Sequence, residues 1–445
     1  AANSAVASVN PDYFIGTKWY TNQNQLVIGT MFLKYNGLYA VDNYSIPAHI
    51  VTIYRNAFKN AQIKTVTFAG NKVENIGDNA FEGSKLTSIT LPASIKQMGK
   101  GVFKNCLDLL TANLSGAKVP ALPDETFQGC TSLRTLTLGT DSKALGNNSL
   151  NNCVALLNLT ADGIETSVDP LQSGLSTTAW YKRDPGNDDL HIILGKVYLK
   201  YKMGASPVLN NQGLVEVTIP NNVSIISQLA FANISNIGKV TIPASVTVIE
   251  ANAFFDCSSL IQVVFAGASK LVEIGDNAFR GASNLTDVIL PQGLIEIGEY
   301  AFEGAALKSV SIPDSVTIIK GHAFENAGLE TLVLGKGLIY IGEGAFSEND
   351  DLYKAEWELE TITVSGVEVV KQLRDIYDAA EDFEYGLDAE FVDGIFTRSG
   401  SSLKIRLYVP AAAFSVINSD SAYVNIWKTR PSFDFVITGN LPKVE

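Results

Sequence analysis

The stretch VTIPASVTVIEANAFFDCSSL, residues 240–260, begins with alternating β-branched residues and ends in small and aromatic ones. Two close copies follow it, VILPQGLIEIGEYAFEGAAL at residues 288–307 and VSIPDSVTIIKGHAFENAGL at residues 310–329. In each copy, alternating apolar residues that end at a proline indicate a short strand. The following segment, of the type Ile-Gly-x-x-Ala-Phe, indicates a tight turn whose apolar side chains point inward.

The phenylalanine of this turn marks the repeat along the chain. Equivalent positions in the first half are Phe58, Phe81, Phe103, Phe127 and Leu150, and in the second half Phe231, Phe254, Phe279, Phe302, Phe324 and Phe346. The intervals in the second half are 23, 25, 23, 22 and 22 residues. A unit this short cannot bury its apolar face alone, so the periodicity predicts a repeat solenoid. We expect a right-handed parallel stack of short strands and tight turns, with few helices.

Two further positions in the repeat carry a structural signal. Several coils have a glycine four residues before the turn phenylalanine, which predicts either a positive φ or a close approach of two backbones. These glycines are Gly77, Gly99, Gly275, Gly298 and Gly342. The position three residues after the phenylalanine holds all four cysteines: Cys106, Cys130, Cys153 and Cys257. We expect a column of small buried side chains with free thiols there, although the first three would stack within bridging reach.

The line LxxVxIPxxVxxIGxxAFxxCxxL resembles the repeat of the BspA-like leucine-rich-repeat surface proteins. The resemblance covers roughly residues 45–170 and 214–350. Two other segments, TKWYTNQNQLVIGTMFLKY at residues 17–35 and TAWYKRDPGNDDLHIILGKVYLKY at residues 178–201, share Trp-Tyr and Leu-Lys-Tyr, and each precedes an array. They resemble the Trp-Tyr hairpin segments that open or interrupt arrays in that family.

Four regions follow from these patterns. Residues 1–11 are small and polar and are predicted to form a flexible N-terminal tail. A hairpin with leucine-rich-repeat array 1 is predicted at residues 12–174, and a hairpin with array 2 at residues 175–357. Residues 358–445 lose the period, and we expect an acidic helical insertion followed by an α+β C-terminal cap that covers the open end of the solenoid.

Within this last region, apolar residues at helical spacing predict a helix with an acidic outer face. They are Val369, Leu373, Ile376, Tyr377, Ala380 and Phe383. The stretch DGIFTRSGSSLKIRLYVP at residues 393–410 predicts a hairpin that closes at Ser-Gly. The segment that begins with LYVP at residue 407 resembles the one that commonly ends such arrays.

Composition excludes several classes of function. The formal charge of −13 argues against a general affinity for nucleic acid. Residues 350–393 hold 14 acidic and 3 basic side chains, so the rest of the chain is close to neutral. No apolar run of about 18 residues occurs, so no membrane span is predicted. The chain begins AANSAVASVN without an initiator Met, and we expect an exported form from which a signal peptide has been removed.

No constellation in the sequence points to catalysis or to a cofactor. His49, His191 and His322 have no cysteine, serine or carboxylate nearby at triad or metal-ligand spacing. No phosphate-binding glycine loop or serine elbow occurs, and the acidic residues after position 380 lack the spacing of a calcium-binding loop. We expect no enzymatic activity, no bound metal and no cofactor.

Strand alternation also predicts which side chains point outward from the stacked strands. In array 1 they form an uncharged ladder, mainly of hydroxyls: Thr65, Thr67, Ser88, Thr90, Thr111, Asn113, Thr135, Thr137, Asn158 and Thr160. In array 2 they are mixed: Glu216, Thr218, Lys239, Thr241, Gln262, Val264, Asp287, Ile289, Ser309, Ser311, Thr331 and Val333. Threonine and valine suit exposed strand positions in any protein, but charged and apolar groups together are typical of interfaces. The second set is therefore the candidate partner-binding surface.

We expect a non-catalytic cell-surface or secreted protein that mediates protein–protein interaction. The resemblance to the BspA-like proteins implies a bacterial adhesin that contacts a host matrix protein or other cells, and we expect a monomer. Two alternatives stay open at this stage. One is a glycan-binding surface module that uses hairpin aromatics such as Trp19 and Trp180, and the other is a structural spacer.

Overall fold

The computed structural model describes residues 25–37, 41–184, 186, 190–338, 340–342 and 344–349. It also describes the backbone of five strands at residues 354–358, 361–364, 367–370, 405–410 and 433–438. The chain divides into two compact units, the first ending at Leu199 and the second beginning at Lys200. The predicted tail at residues 1–11 and the Trp19 part of the first hairpin segment lie outside the described residues. The module boundary at residues 174/175 stays a prediction.

The first unit is a parallel β-solenoid whose coils contribute strands to two sheets. In chain order its strands are β1 (Gln25–Ile28), β2 (Met31–Tyr35), β3 (Val41–Ile46), β4 (Thr52–Ile53), β5 (Ile63–Phe68), β6 (Asn75–Ile76), β7 (Ser88–Thr90), β8 (Gln97–Met98), β9 (Thr111–Asn113), β10 (Ala121–Leu122), β11 (Thr135–Thr137), β12 (Ala144–Leu145) and β13 (Asn158–Thr160). From β3 on, the odd-numbered strands form one parallel sheet. The shorter even-numbered strands β4, β6 and β8 extend the antiparallel hairpin β1–β2, and β10 pairs with β12.

The second unit repeats this plan, and residues 179–199, which end the first unit with a short helix and most of a hairpin, precede it in the chain. Helix α1 (Ala179–Lys182) and the hairpin of β14 (Leu190–Leu194) and β15 (Val197–Lys202) precede β16 (Val215–Thr218), β17 (Ile225–Ile226), β18 (Ile237–Ile242), β19 (Val248–Ile249), β20 (Gln262–Phe265), β21 (Glu273–Ile274), β22 (Asp287–Val288), β23 (Glu296–Ile297), β24 (Ser309–Ser311), β25 (Ile318–Ile319), β26 (Thr331–Leu334), β27 (Tyr340–Ile341), β28 (Lys354–Glu358), β29 (Thr361–Val364), β30 (Val367–Val370), β31 (Ile405–Pro410) and β32 (Phe433–Thr438). The sheet β16-β18-β20-β22 and the sheet β24-β26-β28-β31-β32 share one side, and the odd strands from β15 to β27 form the other. The predicted parallel solenoid is confirmed.

The turn phenylalanines form one column in the core of each unit. Their rings are at most 1% exposed, and Leu150 takes the last place in the first unit. Neighbouring rings lie nearly parallel with centroids 4.7–5.5 Å apart. Phe32 begins the first column by stacking on Phe58, and Tyr201 begins the second by stacking on Phe231. One repeat of the sequence is therefore one coil of the stack.

The Ala-Phe turn is built from two left-handed residues that flank it. In the first such turn, Asn56 and Asn60 have φ angles of 57° and 59°. Equivalent pairs with positive φ recur at residues 79/83, 101/105, 125/129, 148/152, 229/233, 252/256, 277/281, 300/304, 322/326 and 344/348. The amide of Phe58, between the two, donates to the carbonyl of Ala80 in the next coil at 2.6 Å. Asparagine and glycine dominate these positions because they reach this backbone conformation at the lowest cost.

The repeated glycine is required by a close approach and not by its φ angle. None of the five predicted glycines has a positive φ. A Cβ atom on Gly298 would lie 2.5 Å from the amide nitrogen of Asp276, and one on Gly77 would lie 2.6 Å from that of Arg55. Of the two sequence-based alternatives, the close approach is correct.

The cysteine column is buried as predicted, and all four thiols are free. Each thiol donates to the carbonyl of the turn phenylalanine in the preceding coil, as Cys153 does to Phe127 at 3.1 Å. Burial raises the pKa of the Cys153 and Cys257 thiols to about 12. Cys153 and Cys257 are therefore protonated core residues and not nucleophiles.

In the last region, the predicted hairpin and the beginning of the predicted helix are wrong. Strand β30 pairs antiparallel with β29, so Val369 lies in a strand of β-branched residues and does not begin a helix. The other predicted helical positions lie outside the described residues. Strand β31 pairs in parallel with β28 on one side and β32 on the other. Both of its edges are occupied, so it cannot be one arm of a hairpin that closes at Ser-Gly.

Candidate interaction surface

The strand face of each unit is the outward side of its longer strands: the odd-numbered β3–β13 in the first unit and the even-numbered β16–β26 in the second. In-register parallel pairing places equivalent residues of successive coils in columns. In the second unit Glu216 pairs with Lys239, and Lys239 with Gln262, which in turn pairs with Asp287. Neighbouring rungs of such a sheet lie about 4.8 Å apart. The predicted residues therefore form rows within the sheet β16-β18-β20-β22 and again across β24 and β26.

All twelve predicted residues of the second unit are exposed or half-buried, and the residues between them are buried. One column contains Glu216, Lys239, Gln262, Asp287, Ser309 and Thr331, and the other contains Thr218, Thr241, Val264, Ile289, Ser311 and Val333. The structure places these side chains side by side on one solvent-facing surface, and that they bind a partner stays a prediction.

Charges on this face are only partly neutralised within the chain. Among the described residues, no carboxylate lies within 4.0 Å of the Lys239 ammonium group and no cation within that distance of Asp287. The Glu216 carboxylate accepts a hydrogen bond from Asn210 Nδ2 at 3.2 Å, and Asp287 accepts one from Gln262 Nε2. Two opposite charges thus remain available to a ligand, and complementary charges steer and orient association.

Apolar side chains also reach solvent on this face. Ile289 is 80% exposed and Val333 is 41% exposed. An open groove of about 690 Å³ lies beside Ile289, lined by Gln262, Val264, Asp287 and Pro291. Sequence reasoning did not predict this groove. Burial of exposed aliphatic groups beside polar ones is what protein interfaces achieve on binding.

The strand face of the first unit has a different chemistry. Its columns contain Thr65, Ser88, Thr111, Thr135 and Asn158 in one row and Thr67, Thr90, Asn113, Thr137 and Thr160 in the other. The ladder is uncharged, as predicted. Residues 25–199 hold 15 basic and 14 acidic side chains, whereas residues 200–349 hold 8 and 14, a net of −6. The two units therefore offer different surfaces to a partner.

Three hairpin aromatics of the second segment, Trp180, Tyr198 and Tyr201, are core residues. Trp180 lies in α1, is 5% exposed and carries the Arg183 guanidinium 5.1 Å from its ring. Tyr198 and Tyr201 are at most 1% exposed. These three rings cannot stack on a sugar, so Trp180 no longer supports the glycan-binding alternative, whereas the neighbouring Tyr181 is half-buried. Trp19 lies outside the described residues.

The histidines and acidic groups do not form a reactive centre in the described part of the chain. No group of three or more His, Cys, Asp or Glu residues there could hold a metal ion. His191 hydrogen bonds to the Tyr198 hydroxyl at 2.8 Å, and His322 stacks on Tyr300 at 4.7 Å. His49 is exposed. No helix among these residues is long and apolar enough to cross a membrane.

Two carboxylates oppose each other on the short-strand sheet. Glu273 in β21 and Glu296 in β23 are register partners, and Lys320 Nζ lies 2.7 Å from the Glu296 carboxylate. Burial first, and then the charge of Glu296, raise the pKa of Glu273. The folded state therefore binds the proton of Glu273 more tightly than the unfolded state does, so this group lowers stability as pH rises through the raised pKa.

Replacing Glu273 by glutamine is expected to raise the free energy of unfolding at pH 7 by about 0.2–1 kcal/mol, the usual magnitude for directly opposed side chains. The gain should disappear as pH falls towards the ordinary glutamate pKa. Urea unfolding at pH 4.5 and pH 7 checks this, with the exposed Glu299→Gln as the control. Equal stability of E273Q and the parent protein at pH 7 would contradict the account.

Comparisons with known proteins match the repeat. A family model described as BspA type leucine rich repeat region matches six copies, at residues 35–168, 206–292 and 272–376. A curated relative, the human lutropin-choriogonadotropic hormone receptor, is 35% identical over 79 residues. That stretch is 17% of this chain and 11% of the receptor, so the chain spans about a tenth of this relative.

Several solved structures are also similar to this chain. A leucine-rich repeat protein from Bacteroides ovatus is 22% identical, with 72% of this chain and 79% of that chain covered and a TM-score of 0.37. The pneumococcal vaccine antigen PcpA is 17% identical, with 94% and 88% covered and a TM-score of 0.32. A leucine rich cell surface protein from Faecalibacterium prausnitzii is 22% identical, with 75% and 86% covered and a TM-score of 0.28. Since the family model matches well over half of the chain, this protein belongs to the BspA-type leucine-rich repeat family.

Proposed function

We propose that this protein is a non-catalytic interaction module of the cell surface or the extracellular medium, and that it binds a protein ligand through the strand face of its second unit. The supporting observation is that one face combines the exposed side chains of Ile289 and Val333 with the charges of Lys239 and Asp287, which have no ion-pair partner among the described residues. Extended faces of repeat arrays are commonly used in this way. The ligand class that fits the family is an extracellular protein, and we propose a host matrix protein bound by a monomer.

Surface location is part of the same proposal. Four free thiols are compatible with export because burial keeps them away from oxidants and from other thiols in solution. Leucine-rich repeat proteins generally use this fold to bind other proteins. The fold does not specify which protein is bound, so the target is identified by a binding experiment. A purely structural spacer is the second candidate, and it predicts no ligand for either strand face.

The test is binding of the full chain to immobilised fibronectin, laminin and type I collagen, measured by surface plasmon resonance. The doubly charge-reversed variant Lys239→Glu/Asp287→Lys should weaken the Kd for the bound protein at least tenfold, equivalent to about 1.4 kcal/mol. Unchanged affinity of this variant would contradict the assigned face. Absence of binding to all three probes would contradict the matrix-protein proposal and favour the spacer.

A further inference from the structure

The strand-face ladder of the second unit is interrupted between β22 and β24. β20 pairs with β22 and β24 with β26, but among the described residues no backbone hydrogen bond joins β22 to β24. The same coils remain hydrogen-bonded to each other in the short-strand sheet and at the Ala-Phe turn. β21, β23 and β25 remain paired, and the amide of Phe279 donates to the carbonyl of Ala301 at 2.7 Å. The coils therefore part on the strand face alone.

Equivalent positions in other coils of the two strand faces show which backbone hydrogen bonds are missing between β22 and β24. The residue that follows a strand normally donates its amide to the next coil, as do Leu91, Leu114, Leu138, Ile219 and Ile312, at 2.7–3.0 Å. The corresponding bond from Leu290 to the carbonyl of Ser311 is absent, and Leu290 is only 4% exposed. Buried backbone groups in native proteins are nearly always paired. Two facing strand edges are thus left with hydrogen-bonding capacity that another molecule can satisfy.

The open groove described above lies over β20 and β22, next to the strand that forms one edge of this interruption, and none of its lining residues belongs to β24. One wall is the loop at residues 267–269, which exists because the coil from Phe254 to Phe279, at 25 residues, is the longest of those between Phe231 and Phe346. Ile289 provides an exposed aliphatic surface at its edge, and Asp287, two residues earlier on the same face, provides a carboxylate without a cation partner among the described residues. The surrounding residues 200–349 carry a net charge of −6, which favours a basic occupant.

We propose that the interruption between β22 and β24 is the specificity site of the interaction surface. Its occupant is an extended segment of the protein ligand that has a basic side chain two residues from an aliphatic one. The main chain of the segment pairs with the open strand edges, the basic group meets Asp287, and the aliphatic group packs on Ile289. Pairing of an extended peptide with free strand edges is an established mode of recognition. This inference rests on the proposed function and adds the chemistry of the ligand.

The test uses the full chain and the fluorescein-labelled peptide TSTKTVTST, in which lysine and valine are two positions apart and so lie on the same side of a strand. Fluorescence anisotropy should show that this peptide binds at least tenfold more tightly than TSTETVTST. Asp287→Asn should abolish that preference, whereas the control Glu299→Gln, at an exposed carboxylate outside the strand face, should keep it. An N-methylated version of the peptide, which lacks backbone donors, should not bind.

Hydrogen exchange of the full chain gives a second readout that does not depend on any variant. Amides of residues 288–290 and 309–311 should exchange faster than the equivalent amides of residues 217–219 in the same unit and of residues 89–91 in the first unit. Saturating peptide should slow the exchange of residues 288–290 and 309–311. Slow exchange in the free protein, or peptide binding that leaves these amides unprotected, overturns the inference. If matrix proteins bind but neither peptide does, the inference fails while the proposed function stands, and if Asp287→Asn has no effect on a bound peptide, the assigned site is wrong.

Discussion

Replacing Phe279 by alanine is expected to lower the free energy of unfolding of the second unit by about 3–5 kcal/mol, the range for large-to-small substitutions in a packed core. Phe279 is fully buried, and its ring stacks between Phe254 at 4.9 Å and Phe302 at 5.2 Å. The substitution removes buried apolar area, leaves a cavity and breaks two aromatic contacts, each of which contributes about 0.5–1.5 kcal/mol beyond its area.

The measurement is urea-induced unfolding followed by circular dichroism, with Ile289→Ala as the matched control. Ile289 is 80% exposed, so its truncation should change stability by less than about 0.5 kcal/mol. Because stability in a solenoid is transmitted between neighbouring repeats, F279A should also broaden the transition as the coils on either side of the cavity uncouple. A loss below about 1 kcal/mol would mean that the rings do not form the core of the stack.

Replacing Gly298 by alanine is expected to destabilise the same unit by about 1–3 kcal/mol, the typical cost of overpacking. The added methyl group would lie 2.5 Å from the amide nitrogen of Asp276 and 2.5 Å from the carbonyl carbon of Gly275. Both contacts are with backbone, so relief requires the two coils to separate. Separation would in turn lengthen the 2.7 Å hydrogen bond from the Gly298 amide to the carbonyl of Ile274.

The control for this substitution is Gly293→Ala. Gly293 has no positive φ, and an added Cβ would meet its nearest atom, the carbonyl oxygen of Leu271, at an ordinary 3.5 Å. Its replacement should be neutral or slightly stabilising because alanine has less conformational freedom in the unfolded chain. Thermal melting of the two variants side by side compares them, and an equal effect of both would remove close coil approach as the reason for the glycine.

The stacking of coils could be predicted from the sequence because one phenylalanine per repeat and alternating strands leave a single way to bury the apolar residues. The left-handed pairs around Ala-Phe were missed, although asparagine at positions such as Asn252 and Asn277 is the signal for them. The glycine position shows a limit of pattern reasoning. Ser227 and Lys320 occupy the equivalent place in other coils. Glycine is therefore required only in those coils where the two backbones approach closely at this position.

The outward columns of the interaction surface were predictable because in-register parallel pairing preserves alternation from coil to coil. The interruption beside Asp287 was not. Asp287 and Ser309 are 22 residues apart, as are Ser309 and Thr331, yet the latter are paired and the former are not. The error at Val369 has another cause, since Val-Glu-Val-Val fits a strand as well as a helix and only pairing with β29 decides between them.

The most direct test of the account compares the two strand faces in one binding measurement. Lys239→Glu/Asp287→Lys changes the second unit, and the matched variant Thr111→Glu/Asn158→Lys places the same pair of charges on the first. For a matrix protein that binds the parent chain, the account predicts at least a tenfold weaker Kd for the first variant and less than a twofold change for the second. Equal effects of the two variants, or a larger effect of the second, would contradict it.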